Sequence, residues 1–135
     1  MAITARFRYA QLAPPAPMVL VSISSPLETT TRTDLPGLID TGADQTVLPS
    51  SLVEELRLTE IAKEVIQGFD ASMQILSVYI AMIEIKTFAP IRIPILSSPG
   101  VNHIILGRDI LNRYSITLDG PNQRMDITET TTNPI

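Results

Sequence analysis

The chain of 135 residues contains no cysteine. Disulfides, thiolate-held zinc and a cysteine nucleophile are therefore excluded. Its one histidine, His103, is too little for a histidine-based metal centre. A single histidine could serve a Ser/His/Asp arrangement, but no Gly-x-Ser-x-Gly elbow accompanies it, so His103 reads as a strand-edge residue. There is no basic cluster, and the formal net charge is −4, which argues against a nucleic-acid partner. No apolar run approaches the length needed to span a bilayer. Arg6 and Arg8 precede a mildly apolar stretch, but Pro14, Pro15 and Pro17 interrupt it, so we read no signal peptide there. The expectation is a soluble, cytoplasmic protein with neither a nucleic-acid nor a membrane partner. Glycine is scarce, with six residues against eleven prolines, a balance that favours short segments with corners, and so β structure.

What is present is a hydrophobic fraction of 44% with 18% charged residues, the composition of a globular protein. The length fits one domain, placed at residues 1–128, with a polar, Thr-rich and loose tail at 129–135. The most informative stretch is Leu38-Ile39-Asp40-Thr41-Gly42-Ala43-Asp44. Two apolar residues read as a buried strand and Thr-Gly as a tight turn. Asp40 is thus delivered to a strand end, where a carboxylate is costly unless hydrogen-bonded or functional.

Along the chain, residues 1–12 fit a short strand or terminal arm, and Ala13 to Pro17 a stiff, extended connector. Met18 to Ile23 reads as a strand, and Leu27 to Pro36 as an exposed strand or loop leading into the Asp40 segment. Thr46 to Pro49 is extended. Ser51-Leu52-Val53-Glu54 matches a capping box and predicts a short helix ending near Leu58. Glu64 to Ile85 is β-like and broken by Gln67 to Ser72, a hairpin. Ile91, Ile93 and Ile95 alternate with Arg92 and Pro94, a strand whose proline implies an edge or bulge. Arg108 to Tyr114 predicts a second short helix, and the Asp119-Gly120-Pro121-Asn122 turn predicts a hairpin between Ile116–Leu118 and Met125–Ile127. A weak internal echo joins Gly37-Leu38-Ile39-Asp40-Thr41-Gly42 to His103-Ile104-Ile105-Leu106-Gly107-Arg108, each an apolar strand running into glycine.

These residues resemble the retropepsin-like, single-domain aspartic proteases. The run from Leu38 to Leu48 is similar to that family's active-site segment, and Ile104 to Leu111 to its second signature. The hairpin around Gly68 sits where the family carries its flap. The resemblance covers residues from about 18 to 118 and implies an all-β, mostly antiparallel closed barrel with one or two short helices. It implies catalytic roles for Asp40, Thr41 and Gly42, and substrate contacts for Gly42, Ala43, Asp44, Gly68, Phe69 and Ile105. Asp44 would pair with Arg108 beside the site. Two departures stand out. The flap has only Gly68, followed by Phe69 and Asp70, and the C-terminal section is long enough for a hairpin of its own.

The chemistry of such enzymes needs two facing carboxylates around one water. Two charges about 3 Å apart repel by about 5 kcal/mol at an effective dielectric near 20, equivalent to roughly 4 pKa units, so one keeps its proton. The ionised member activates the water and the protonated one polarises the scissile carbonyl. No metal or cofactor is required. Only one Asp-Thr-Gly occurs in the chain, so the second carboxylate has to come from another copy, a homodimer with Asp40 opposite Asp40 on the axis. The expected activity is endopeptidase cleavage of extended, apolar polypeptide segments. The competing reading is a dimerisation or peptide-binding module of the same fold that does not cleave, with Asp40 merely an Asx-turn or helix-capping acid and Asp44–Arg108 purely structural.

Overall fold

Leu38 and Ile39 carry the frame of the molecule because both sides of their strand are paired. In the computed structural model, which describes residues 2–68 and 70–130, β3 (Thr31–Ile39) runs antiparallel to β2 (Met18–Ser24) and parallel to β8 (Ile104–Leu106). The parallel register sets Leu38 beside Ile105 and Ile39 beside Leu106, so the two echoed apolar segments lie side by side. β4 (Val47–Pro49) pairs with β8 through Val47 and Ile105, and with β7 (Ile91–Ser98) in parallel. β6 (Met73–Ile85) pairs with β7 and, at its far end, with β2. The circuit β2-β3-β8-β4-β7-β6 thereby closes on itself, a six-stranded barrel without free edges. β5 (Thr59–Gln67) extends it as a hairpin with β6.

The barrel interior is filled by alternate residues of these strands. Val19, Val21 and Ile23 face Ile83, Ile85, Ile95, Ile104 and Leu106, all at most 2% exposed. Burying each such side chain stabilises by about 1.5–3 kcal/mol, which makes this alternation the main determinant of register. Two short helices seal the barrel: α1 (Ser50–Glu55) through Leu52 and Val53, and α2 (Arg108–Leu111) through Ile110 and Leu111. A separate three-stranded sheet holds β1 (Ala2–Arg8) and β9 (Ser115–Asp119) on either side of β10 (Arg124–Thr130). Met125 and Ile127 anchor it to the core with no exposed surface. The all-β barrel with two short helices is the architecture anticipated from sequence. Among the described residues, no helix is long and apolar enough to cross a membrane.

Several local readings are corrected. Residues 13–17 are not an extended connector: Ala10 and Ala16 exchange backbone hydrogen bonds at 2.8 and 3.1 Å, closing a tight loop. α1 starts at Ser50 with Pro49 at its N-cap and no side-chain cap bond, so the Ser51 capping box does not form. Ser50 Oγ is instead hydrogen-bonded to Ser97 Oγ at 2.9 Å. The helix also stops before Leu58, because Arg57 takes a left-handed φ of 52° and Leu58 N returns to Val53 O. α2 spans four residues rather than the stretch to Tyr114, since Arg113 and Tyr114 donate to carbonyls three residues back, at Ile110 and Leu111. β10 continues through Thr130, where Ala2 faces it, so pairing persists past Thr128; the remainder of the expected tail lies outside the described residues. Pro94 does sit where β7 is paired on one side only, opposite Ile80 and short of the β4 register that begins at Leu96.

Candidate active site

The parallel β3–β8 pair hands its C-terminal ends to two loops that bind one another. Asp40 N donates to Leu106 O at 3.0 Å, and Ala43 N to Asp40 O at 3.2 Å, so the chain turns immediately after β3. Gly42 N donates to Asp40 Oδ1 at 2.9 Å. This is an Asx-turn, and it fixes the carboxylate through one oxygen while Oδ2 has no partner among the described residues. Asp40 is half-buried, whereas Thr41 and Gly42 are exposed. A Cβ at Gly42 would meet Asp40 Oδ1 at 3.2 Å, so a side chain there presses on the carboxylate itself.

The opposite loop is built against this turn. Arg108 N donates to Ala43 O at 2.9 Å and Asp109 N to Asp44 O at 3.3 Å. The Arg108 guanidinium donates to Thr41 O at 2.7 Å and forms an ion pair with Asp44. Asp44 and Arg108 are therefore brought together as expected. The Asp44 side chain is 82% exposed, and an ion pair so solvated contributes at most about 1 kcal/mol. Its use is geometric, because one guanidinium spans two points of the Asp40 loop.

Sequence reasoning missed the buried bracket beneath. Asp109 accepts from Thr46 N at 2.9 Å and from Thr46 Oγ1 at 2.8 Å, and Gly107 N donates to Thr46 Oγ1 at 3.2 Å. Thr46 is fully buried. Its signal was available: one hydroxyl residue opening an otherwise apolar run, and one acid in the first turn of α2. Gly107 is required by space, since a Cβ there would lie 2.6 Å from the backbone C and O of Gln45. Also missed was the bond from Gln45 Nε2 to Glu64 Oε2 at 2.8 Å, which ties the Asp40 loop to β5.

Of the other expected substrate contacts, Ile105 is half-buried between its register partners Leu38 and Val47. Strand alternation places Asp40 on the same face, two residues past Leu38. Gly68 lies in the turn of the β5–β6 hairpin, where its N–H donates to Ser72 O at 2.8 Å. Asp70 Oδ1 accepts from Ser72 Oγ at 2.6 Å and from Ser72 N at 3.0 Å, and these bonds hold its carboxyl below the usual range. Ala71 completes the turn in the left-handed region at φ 65°. No hydrogen bond among the described residues links this turn to Asp40; the hairpin is joined to the site further back, at Glu64. Phe69 lies outside the described residues. His103 stands away from this loop, its ring Nδ1 2.8 Å from Asn102 Oδ1.

Comparison with known proteins places this arrangement. A model of the gag-polyprotein putative aspartyl protease family matches residues 31–113, which contain both loops and the hairpin. Among solved structures, the EIAV protease complexed with the inhibitor HBY-793 is 28% identical, with a TM-score of 0.55, covering 72% of this chain and 86% of that one. A retropepsin-like aspartic protease from Rickettsia conorii covers 98% of this chain and 97% of its own, with a TM-score of 0.60 at 11% identity, a likeness of fold. Comparison with curated proteins gave no match. With more than half of its length matched by the family model, the chain belongs to the retropepsin-like aspartic protease family.

Proposed function

We propose that the protein is an aspartic endopeptidase that works as a homodimer, each copy giving one Asp40. The observation that carries this reading is the state of that side chain. Asp40 stands at the end of a doubly paired strand, clamped through Oδ1 by Gly42 N with Oδ2 unengaged among the described residues. A carboxylate held by one oxygen is oriented without being consumed. Two such groups across a two-fold axis share one proton, leaving one as base for water and one as acid toward the carbonyl.

The exposed Thr41 and Gly42 border the carboxylate. Thr41 holds the two copies together across the axis, and Gly42 lets the substrate backbone come close. Ala43 and Asp44 line the groove beyond it, with Asp44 oriented by Arg108. Leu38, Val47 and Ile105 supply a half-buried apolar wall, which suits an extended substrate with apolar residues at the cut. The hairpin that carries Gly68 covers that substrate as a flap, adding it as a further strand.

The test is cleavage of an unstructured protein in mildly acidic buffer. The parent cleaves and is blocked by a transition-state-mimicking aspartic protease inhibitor. Asp40→Asn lowers the rate by at least about a thousandfold, since the general base is lost. Cleavage by Asp40→Asn at the parental rate contradicts the assignment, and binding of the substrate without cleavage by the parent favours a peptide-binding module.

A further inference from the structure

Glu64 is the residue through which the flap hairpin meets the Asp40 loop, and its surroundings are unusual for a carboxylate. Strand alternation puts it on the face of β5 shared with Ala62 and Ile66, and Leu76 faces it directly on β6. Ile66 packs with Val47 on the buried trio Leu76, Val78 and Leu96. Glu64 is thus half-buried at the margin of an apolar patch. Its one side-chain hydrogen-bond partner among the described residues is the neutral amide of Gln45, at 2.8 Å.

Among the described residues no cation pairs with it: the ion pairs leave Glu64 out. Lys63, next along the strand, points to the other face and donates to Glu60 and Ser77. Of the neighbouring acids, Asp44 is paired with Arg108, and Asp70, without an ion pair among the described residues, is turned onto Ser72 within its own turn. A carboxylate beside apolar surface gains most from a charge-assisted bond that a ligand brings with it.

We infer that Glu64, oriented by Gln45, makes the groove between the hairpin and the Asp40 loop select a cationic side chain, Lys or Arg, in the substrate. This rests on the protease reading above and narrows its substrate class. The peptide has apolar residues at the cut and a basic residue a few positions away. Glu64 sets specificity and is not a catalytic residue.

The experiment compares two peptides with the same apolar cleavage site, one carrying lysine at the distal position and the other its neutral isostere norleucine. The parent shows a kcat/KM about tenfold higher for the lysine peptide, expressed mainly in KM. In Glu64→Gln the ratio falls to near one, and in Glu64→Lys the preference moves to a glutamate peptide. Should either variant fold poorly, the parent alone decides, because its preference falls as salt is raised. A parent without preference, a preference insensitive to salt, or one that survives Glu64→Gln overturns the inference. Cleavage of the norleucine peptide by the parent but not by Asp40→Asn upholds the protease reading whichever way the ratio falls. If the parent cleaves neither peptide, both readings fail.

Discussion

The hydroxyl of Thr46 donates to Asp109 Oδ1 at 2.8 Å, and the amide of the same residue donates to Oδ2 at 2.9 Å. One carboxylate therefore satisfies both hydrogen-bond donors of a fully buried residue, and through Gly107 N the bracket reaches the end of β8. Asp109→Ala leaves a buried hydroxyl proton and a buried amide N–H without acceptors, although Thr46 Oγ1 still accepts from Gly107 N. We expect a loss of about 2–4 kcal/mol, because unmet buried donors cost more than a made bond contributes. Urea unfolding measures it; a loss below about half a kcal/mol would show that the bracket is dispensable.

Gly107→Ala tests the close approach of the two loops. Its φ of −91° is open to any residue, so the effect is steric: the added Cβ lies 2.6 Å from backbone atoms of Gln45. Overpacking of this kind costs about 1–3 kcal/mol. The displaced loop also carries Asp40, so kcat falls beyond what partial unfolding explains. A variant with parental stability and kcat contradicts the geometry.

The terminal sheet sets a pH response. On its outer face Arg6 donates to Asp126 at 2.8 Å, and this bond holds the Asp126 carboxyl below its ordinary value. Asp119 is lowered likewise, first by its bond from Asn122. A carboxylate whose pKa is depressed by folding contributes stability above its unfolded value, near 4, and loses it as pH falls through the lower folded value. The urea midpoint should therefore decline below about pH 4, and less steeply in Asp126→Asn, which has no such proton to bind. Equal slopes in parent and variant would show that the Arg6–Asp126 pair contributes nothing.

The turn of the β5–β6 hairpin offers a fourth handle. Asp70 braces it by accepting two bonds from Ser72. Asp70→Ala removes both and loosens a turn whose Ala71 is already in the left-handed region. Because the turn is exposed, global stability should change by less than about 1 kcal/mol. Amide exchange at Gly68 and Ser72 should accelerate, and KM should rise more than kcat changes. Unaltered exchange would mean that the backbone bonds from Gly68 N to Ser72 O and from Ala71 N to Gly68 O hold the turn without Asp70.

Much of this was legible in the chain. Leu38-Ile39-Asp40-Thr41-Gly42 announces a strand, a turn and an acid at the strand end because a consecutive apolar pair and a glycine act locally. Asp119-Gly120-Pro121-Asn122 marks its hairpin for the same reason. What stayed hidden depends on partners distant in sequence. Asp109 is bound to Thr46, Gln45 to Glu64, and Ser50 to Ser97 rather than to its own helix terminus. The Ser51 capping box failed because Pro49 already occupies the N-cap. The loop at 10–16 closed because Ala10 and Ala16 found each other, which the local stiffness of Pro14, Pro15 and Pro17 does not reveal.

The central claim is that Asp40 is half of a site completed by a second copy. Mixing Asp40→Asn chains with the parent measures this directly. At fixed parent concentration, an equal amount of the variant should, after subunit exchange, lower cleavage to about half, since half of the parental chains then sit in dimers with one carboxylate. Cleavage unchanged by any excess of exchanged variant would show that one chain suffices, and would contradict the account.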